Sequence, residues 1–304
     1  MPEVGVVLMA YGTAASPDDL ETYYTHIRHG RPPSPEQLAD LAARYDAIGG
    51  TSPLTERTES QRGALQLALD ERAPGACTVV LGQKHAPPFI EDAVAAVATT
   101  DVGRVVGLVL APHFSAASVG QYRERLQAAA AAQAIPASAI DSWHLEPAYL
   151  AFLAGAVRDA LGSMPERTKV LFTAHSLPER ALVDDPYAHQ LRASAAAVAG
   201  DVGLDRWAGW ALAWQSAGRT LEPWRGPDVL DVIRDLAGTG RSDGVLVCAQ
   251  GFVSDHLEVV YDLDIEARRL AEELGLVFAR TRVLNDMPSM FEALADRVLA
   301  AAPA

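Results

Sequence analysis

Short β-branched runs alternate with longer amphipathic segments from one end of this chain to the other. Apolar runs at residues 4–9, 77–81, 105–111, 169–173, 207–214, 245–249 and 276–280 predict strands. Between them, residues 60–72, 90–99, 118–133, 147–161, 187–199, 227–236 and 290–301 carry helical patterns. That alternation implies βαβ units and a mostly parallel sheet. The plan also repeats, since residues 4–134 and 169–301 hold strand–helix series of similar length. The expected fold is α/β: two similar doubly wound, Rossmann-like halves, residues 1–143 and 144–304, with an active cleft between them. The final helical pattern, 290–301, is placed back against the first half.

One segment carries unusual polarity. After the apolar run at 245–249 comes Gly251-Phe252-Val253-Ser254-Asp255-His256-Leu257-Glu258, which opens a helical pattern reaching Gly275. Glu258, Asp262 and Glu266 recur every fourth residue and so share a helical face. Val259, Leu263, Leu270 and Leu274 form an apolar stripe beside them. A carboxylate row flanking a buried stripe can pass a hard cation along. It can also be an ordinary acidic helix start, with Asp255 and Glu258 forming a capping box. Both readings stand on this segment alone.

Composition narrows the class. The 304 residues suit two domains or one large α/β unit, and 49% hydrophobic with 21% charged residues is ordinary for a globular enzyme. A net charge of −14 argues against nucleic-acid binding. The start, Met1-Pro2-Glu3-Val4, has no basic region before its short apolar run, so no export signal is expected. No apolar run reaches membrane-spanning length, and no stable membrane insertion is expected. Cys77 and Cys248 lie far apart and outside any CxxC pair, which fits a reducing cytoplasm and suggests neither a disulfide framework nor a cysteine-ligated metal.

Ligands of parallel α/β sheets bind beyond the carboxyl ends of strands. Those ends read Ala10-Tyr11-Gly12-Thr13, Pro112-His113-Phe114-Ser115, Ala174-His175-Ser176-Leu177-Pro178 and the Gly251–Glu258 segment. A phenol, two imidazoles and the carboxylate row are thereby brought together. No GxGxxG or Walker-type loop is present, which counts against a nucleotide enzyme. Residues 24–34 form a basic, aromatic island with His26, Arg28, His29 and Arg31, followed by Arg44-Tyr45. Such an island suits a flat anionic ligand, because guanidinium pairs with carboxylates and stacks on π faces. A solvated surface turn is the plainer reading.

Together these pieces resemble the ferrochelatases, and in particular the coproporphyrin type of monoderm bacteria. The resemblance rests on Leu8-Met9-Ala10-Tyr11-Gly12-Thr13, Tyr23-Tyr24-Thr25-His26-Ile27-Arg28, and Arg44-Tyr45 running on to Gly49-Gly50-Thr51-Ser52-Pro53-Leu54. It continues through Lys84-His85, Pro88-Phe89-Ile90-Glu91-Asp92, Pro112-His113-Phe114-Ser115, Ala174-His175-Ser176-Leu177-Pro178-Glu179, Trp214-Gln215-Ser216 and residues 251–262. These motifs run in order along nearly the whole chain.

The resemblance implies insertion of Fe(II) into a porphyrin with release of two protons. It places His175 and Glu258 across the site as the catalytic and metal-binding pair, with base and ligand roles open between them. Asp262 and Glu266 become an outer metal path on a helix with a π-helical turn. Tyr11 would be the axial ligand of the product iron. Arg28, Arg44, Tyr45, Ser52 and Tyr122 would hold the porphyrin and its propionates, although Tyr122 alone reads as helix packing. His85 and His113 read as supporting or structural. Iron is then substrate, and no cofactor is bound permanently.

Two cysteines exclude the four-cysteine [2Fe–2S] cluster of some actinobacterial relatives. The short basic stretch at 24–48 resembles the coproporphyrin type more than membrane-associated protoporphyrin enzymes. Coproporphyrin III is therefore the expected substrate, with transient contact to the downstream coproheme decarboxylase. The alternatives are a protoporphyrin IX ferrochelatase, a cobalt or nickel tetrapyrrole chelatase of the same fold, and a non-catalytic carrier.

Overall fold

The computed structural model describes residues 3–100, 102–204, 209–218 and 220–302. The first half runs β1 (Val4–Ala10), α1 (Leu20–Ile27), α2 (Pro35–Ala47), α3 (Leu54–Arg72), β2 (Cys77–Gln83), α4 (Ile90–Ala98) and β3 (Arg104–Val109). It continues through a π-helical turn (Ala116–Gly120), α5 (Gln121–Ala132) and β4 (Ala137–Ile140). The second half holds α6 (Pro147–Leu161), β5 (Thr168–His175), α7 (Tyr187–Val202), β6 (Trp210–Gln215), α8 (Val229–Thr239) and β7 (Gly244–Cys248). There follow α9 (Leu257–Val259), a π-helix (Val260–Ala267), α10 (Arg268–Glu273), β8 (Val277–Arg280) and α11 (Pro288–Ala301).

Among the described residues the strands form two four-stranded sheets, ordered β2-β1-β3-β4 and β6-β5-β7-β8. Every pairing is parallel. The expected α/β repeat is thus present, down to strand order. Each half even places a π-helical segment after its third strand. In both sheets the connections reverse direction between the first and third strands of the half, which opens a crevice at the β1/β3 and β5/β7 ends.

The unbroken apolar run of β1 is buried at every position, as befits an inner strand covered on both faces. One hydrophobic cluster joins the two sheets, from Val6 and Leu8 through Leu153 and Val157 of α6 to Phe172 and Leu246, with Phe291 and Leu294 of α11. Helix α11 packs against α3, β4 and α6, so the chain's end returns to the first half. Among the described residues no helix is long and apolar enough to cross a membrane.

Several expectations need correction. The strand expected over 207–214 is found from Trp210 to Gln215, and residues 207–208 lie outside the described residues. The strand expected to reach Ala111 stops at Val109, and Pro112 follows. Strand β4 carries the weak Ala-Ser-Ala-Ile pattern of a half-buried edge and has no strong sequence signal. Helix α2 did have a signal: Gln37 N donates to Ser34 Oγ at 3.3 Å and Ser34 N donates to Gln37 Oε1 at 3.0 Å, a complete capping box ahead of Pro35. Leu274, assigned to the apolar stripe, lies past the end of α10 and is exposed.

Candidate active site

His175 closes β5, and Glu258 enters from the loop after the neighbouring β7. Glycine lets the two segments meet. A Cβ on Gly251 would stand 2.5 Å from Ala174 Cβ, and Gly251 N instead donates to Thr173 O at 3.0 Å. His175 Nδ1 lies 2.5 Å from Ser176 O. A carbonyl only accepts, so Nδ1 carries the proton and Nε2 is turned to the partner. Nε2 stands 3.4 Å from Glu258 Oε1, and both side chains remain about one-third exposed. His256 Nε2 approaches the other oxygen, Oε2, at 3.7 Å.

Electrostatics favour imidazolium and carboxylate for this pair. Burial opposes charge on His175, but the charge and hydrogen bond of Glu258 outweigh it and raise the imidazole to about 9. Burial likewise works to raise Glu258, yet His175 and then His256 hold it well below the usual carboxylate range.

Asp262 follows on the π-helix and is buried. Its Oδ2 accepts from Ser216 Oγ at 2.5 Å, and Oδ1 lies 3.8 Å from Arg44 Nη1. Burial, with the Glu258 charge second, raises its carboxyl to about 7 despite Ser216 and Arg44. Glu266 sits one step further and is half-buried. Burial, then the charges of Asp231 and Glu266, push Asp228 upward as well. Glu258 is therefore strongly anionic and Asp262 is poised near neutrality.

The expected capping role of Asp255 is not found. The segment's N-cap is His256, without a side-chain cap. Asp255 Oδ2 instead accepts from Asn285 Nδ2 at 2.9 Å, and Oδ1 lies 3.2 Å from Arg280. Arg280 in turn grips Asp264 of the π-helix through two hydrogen bonds.

The first half supplies Tyr11, one residue beyond β1, with its ring 41% exposed. Desolvation and then the Glu258 charge raise its phenol. His85 packs against the Tyr11 ring at 4.6 Å, and its Nδ1 lies 3.0 Å from His26 Nδ1.

The chain matches the Ferrochelatase family over residues 3–302. The chain belongs to the ferrochelatase family. It is 45% identical over 302 residues to the coproporphyrin III ferrochelatase of Geobacillus kaustophilus, covering 97% of this chain and 95% of that one. Against the coproporphyrin III ferrochelatase of Bacillus subtilis identity is 40% over 304 residues, covering 98% and 97%. A ferrochelatase of Herpetosiphon aurantiacus is 42% identical over 299 residues, covering 96% and 97%. Among solved structures, SirB from Bacillus subtilis with Fe3+ shares the fold with a TM-score of 0.59 at 11% identity, covering 99% of this chain and 96% of that one.

Other residues singled out by family resemblance fall in less uniform places. Tyr45 is buried and its hydroxyl shares a 2.7 Å hydrogen bond with Thr13 Oγ1. Ser52 Oγ accepts from Leu54 N at 3.3 Å at the start of α3. Arg28 ends α1, where its Nε donates to Arg31 O at 3.2 Å and its guanidinium lies 5.6 Å from the Tyr24 ring centre. Tyr122 is buried in the first-half core beneath Lys84, whose Nζ is 5.0 Å from its ring centre. His113 is buried in the seam between halves, 2.8 Å from Ser194 Oγ, and burial pushes it down to about 3.

Sequence reasoning overlooked four contributors. Gln215 ends β6 beside His175 and donates through Nε2 to Glu258 O at 2.7 Å. Ser216, His256 and Arg280 were passed over although the first two lie inside quoted motifs. Gln215 ends strand β6 and Ser216 follows it, and His256 lies two residues before Glu258, whereas Arg280 is next to no residue already chosen.

Proposed function

We propose that this member of the ferrochelatase family inserts Fe(II) into coproporphyrin III, yielding coproheme and two protons. The observation that carries the reading is the His175–Glu258 pair, one imidazole nitrogen and one carboxylate at 3.4 Å with a row of acids behind them. Relatives named for this substrate match along nearly the full chain, and Arg28 with Arg44 supplies cations for a tetracarboxylate.

The pair handles both charges of the exchange. A dication reaching Glu258 cancels the field that keeps His175 protonated, so the imidazolium passes its Nε2 proton to solvent water and exposes the Nε2 lone pair. Neutral Nε2 can then accept one pyrrole proton as iron enters the macrocycle, and the second passes to the Glu258 carboxylate that the iron has left. Either residue can also ligate the cation in transit. Asp262 and Glu266 form the outer path, and Tyr11 meets the product iron from the opposite face. Arg28 and Arg44 at the rim, with Tyr45, Ser52 and Tyr122 buried behind it, hold the macrocycle, so binding free energy is available to bend it. Iron is a substrate here, with no [2Fe–2S] cluster or resident cofactor. The reaction is assigned to the cytoplasm, with coproheme passing to a decarboxylase.

The test is anaerobic insertion followed by absorbance. Fe(II) turnover is compared on coproporphyrin III and protoporphyrin IX, with cobalt and sirohydrochlorin as a third arm. Coproporphyrin III should lead in kcat/KM by about tenfold, the worth of one charged contact. Equal or better use of protoporphyrin IX, or turnover confined to sirohydrochlorin, overturns the assignment. Stoichiometric binding without turnover would indicate a carrier.

A further inference from the structure

The side chain of Gln61, on α3 of the first half, is fully buried and makes its hydrogen bonds to the second half. Nε2 donates to Val253 O at 3.1 Å and to Asn285 O at 2.9 Å, while Oε1 accepts from Ser254 Oγ at 3.0 Å. Both amide hydrogens are thereby used. Val253 and Ser254 lie just ahead of Glu258, and Asn285 lies in the connection between β8 and α11.

Those two loops are themselves interlocked. Asn285 N donates to Val253 O at 2.8 Å, and Asp255 N donates to Asn285 Oδ1 at 3.0 Å. Asn285 adopts φ +46°, a left-handed conformation that Asn tolerates better than most residues. From Ser254 a line of contacts reaches the chemistry. His256 Nδ1 sits 2.9 Å from Ser254 O, which fixes that proton on Nδ1 and turns Nε2 toward Glu258. From Asp255 a second line runs through Arg280 to Asp264 on the π-helix.

We propose that Gln61 is a positioning residue: its carboxamide holds the 253–256 loop against the first half and so sets Glu258 toward the incoming metal. The inference rests on the reading of Glu258 as the metal-side carboxylate. Replacing the amide by an apolar group of similar length strands the Asn285 carbonyl and the Ser254 hydroxyl, leaves Val253 O with only its bond from Asn285 N, and frees the loop, with no change at the porphyrin rim.

The experiment uses Gln61→Met, with Ser254→Ala as a milder variant should Gln61→Met fail to fold. Zn(II) binding to porphyrin-free protein, KM for Fe(II), and porphyrin affinity by fluorescence quenching are measured in each. Gln61→Met should weaken Zn(II) binding and raise the iron KM about tenfold, the lower range for residues that orient metal ligands, with porphyrin affinity unchanged. Ser254→Ala should give about a threefold change in the same direction, since it removes one of the three contacts. In a Glu258→Gln background Gln61→Met should add no further loss of Zn(II) affinity. A lower melting temperature with unaltered Zn(II) affinity and iron KM, or an equal loss in both backgrounds, overturns the positioning role. Should Glu258→Gln leave Zn(II) binding intact, the assignment of Glu258 itself is what fails.

Discussion

Arg44 Nη1 of the first half stands 3.8 Å from Asp262 Oδ1 of the second, so a guanidinium and a π-helix carboxylate face each other across the two halves. The guanidinium also lies 3.3 Å from Asp40 and 5.1 Å from the Tyr261 ring centre. Its buried Nε is the atom that faces Asp40 Oδ2, so a propionate at the rim would meet the Nη edge of the guanidinium. Arg44→Met should therefore weaken coproporphyrin III binding about tenfold, the scale of one charged hydrogen bond. Fluorescence quenching checks this, and an unchanged affinity would remove Arg44 from the rim.

His175 and Glu258 should behave as a unit under mutation. His175→Ala is expected to lower insertion at least about a hundredfold, the lower range for a lost general base, while porphyrin binding persists. Glu258→Gln should cost more activity than Glu266→Gln, because Glu266 lies beyond Asp262 and outside the His175 contact. Single-turnover metallation followed at the Soret band measures both. Near-normal turnover of His175→Ala would end the proposed chemistry.

Much of this arrangement is legible in the sequence because unbroken apolar runs locate β1, β5 and β7, and the residues after them locate the strand ends. Tyr11 and His175 fall at such ends, and the segment that follows β7 leads to Glu258. What stays hidden is geometry between distant segments. Nothing in the local pattern around Gln61 announces bonds to Val253 and Asn285, since it looks like any polar position on a helix. Asp255 misleads for the opposite reason. Its spacing to Glu258 suits a capping box, yet Arg280 and Asn285 offer a charged partner and a reciprocal amide that a cap cannot match.

Asp262 predicts a pH effect on stability. Its carboxyl titrates at about 7 in the folded chain, raised from 3.8 chiefly by burial. The folded state thus binds the proton more tightly than the unfolded state does. Its contribution to stability is full below about pH 4 and is lost as pH rises through 7. Asp262→Asn should then raise the melting temperature clearly at pH 8 and by well under half as much at pH 5. Thermal denaturation at the two pH values decides it. Equal shifts at both would mean that the Asp262 charge is not what burial penalises.

Tyr11 gives a prediction in which spectrum and rate part company. Its ring follows β1, the strand that holds the same place in its sheet as β5, which ends at His175. The two side chains thus come from corresponding strand ends of the repeated halves. If the phenol oxygen meets the product iron, its removal changes the iron's ligand field but removes neither the proton acceptor nor the metal-side carboxylate. Tyr11→Phe should therefore alter the absorption spectrum of the enzyme-bound iron product clearly, with kcat changed by less than about threefold, well short of the loss of a general base. Spectra of wild type and variant with bound ferric coproporphyrin test this directly. Identical spectra exclude Tyr11 as the axial ligand, and a collapse in kcat would place the phenol in the insertion step itself.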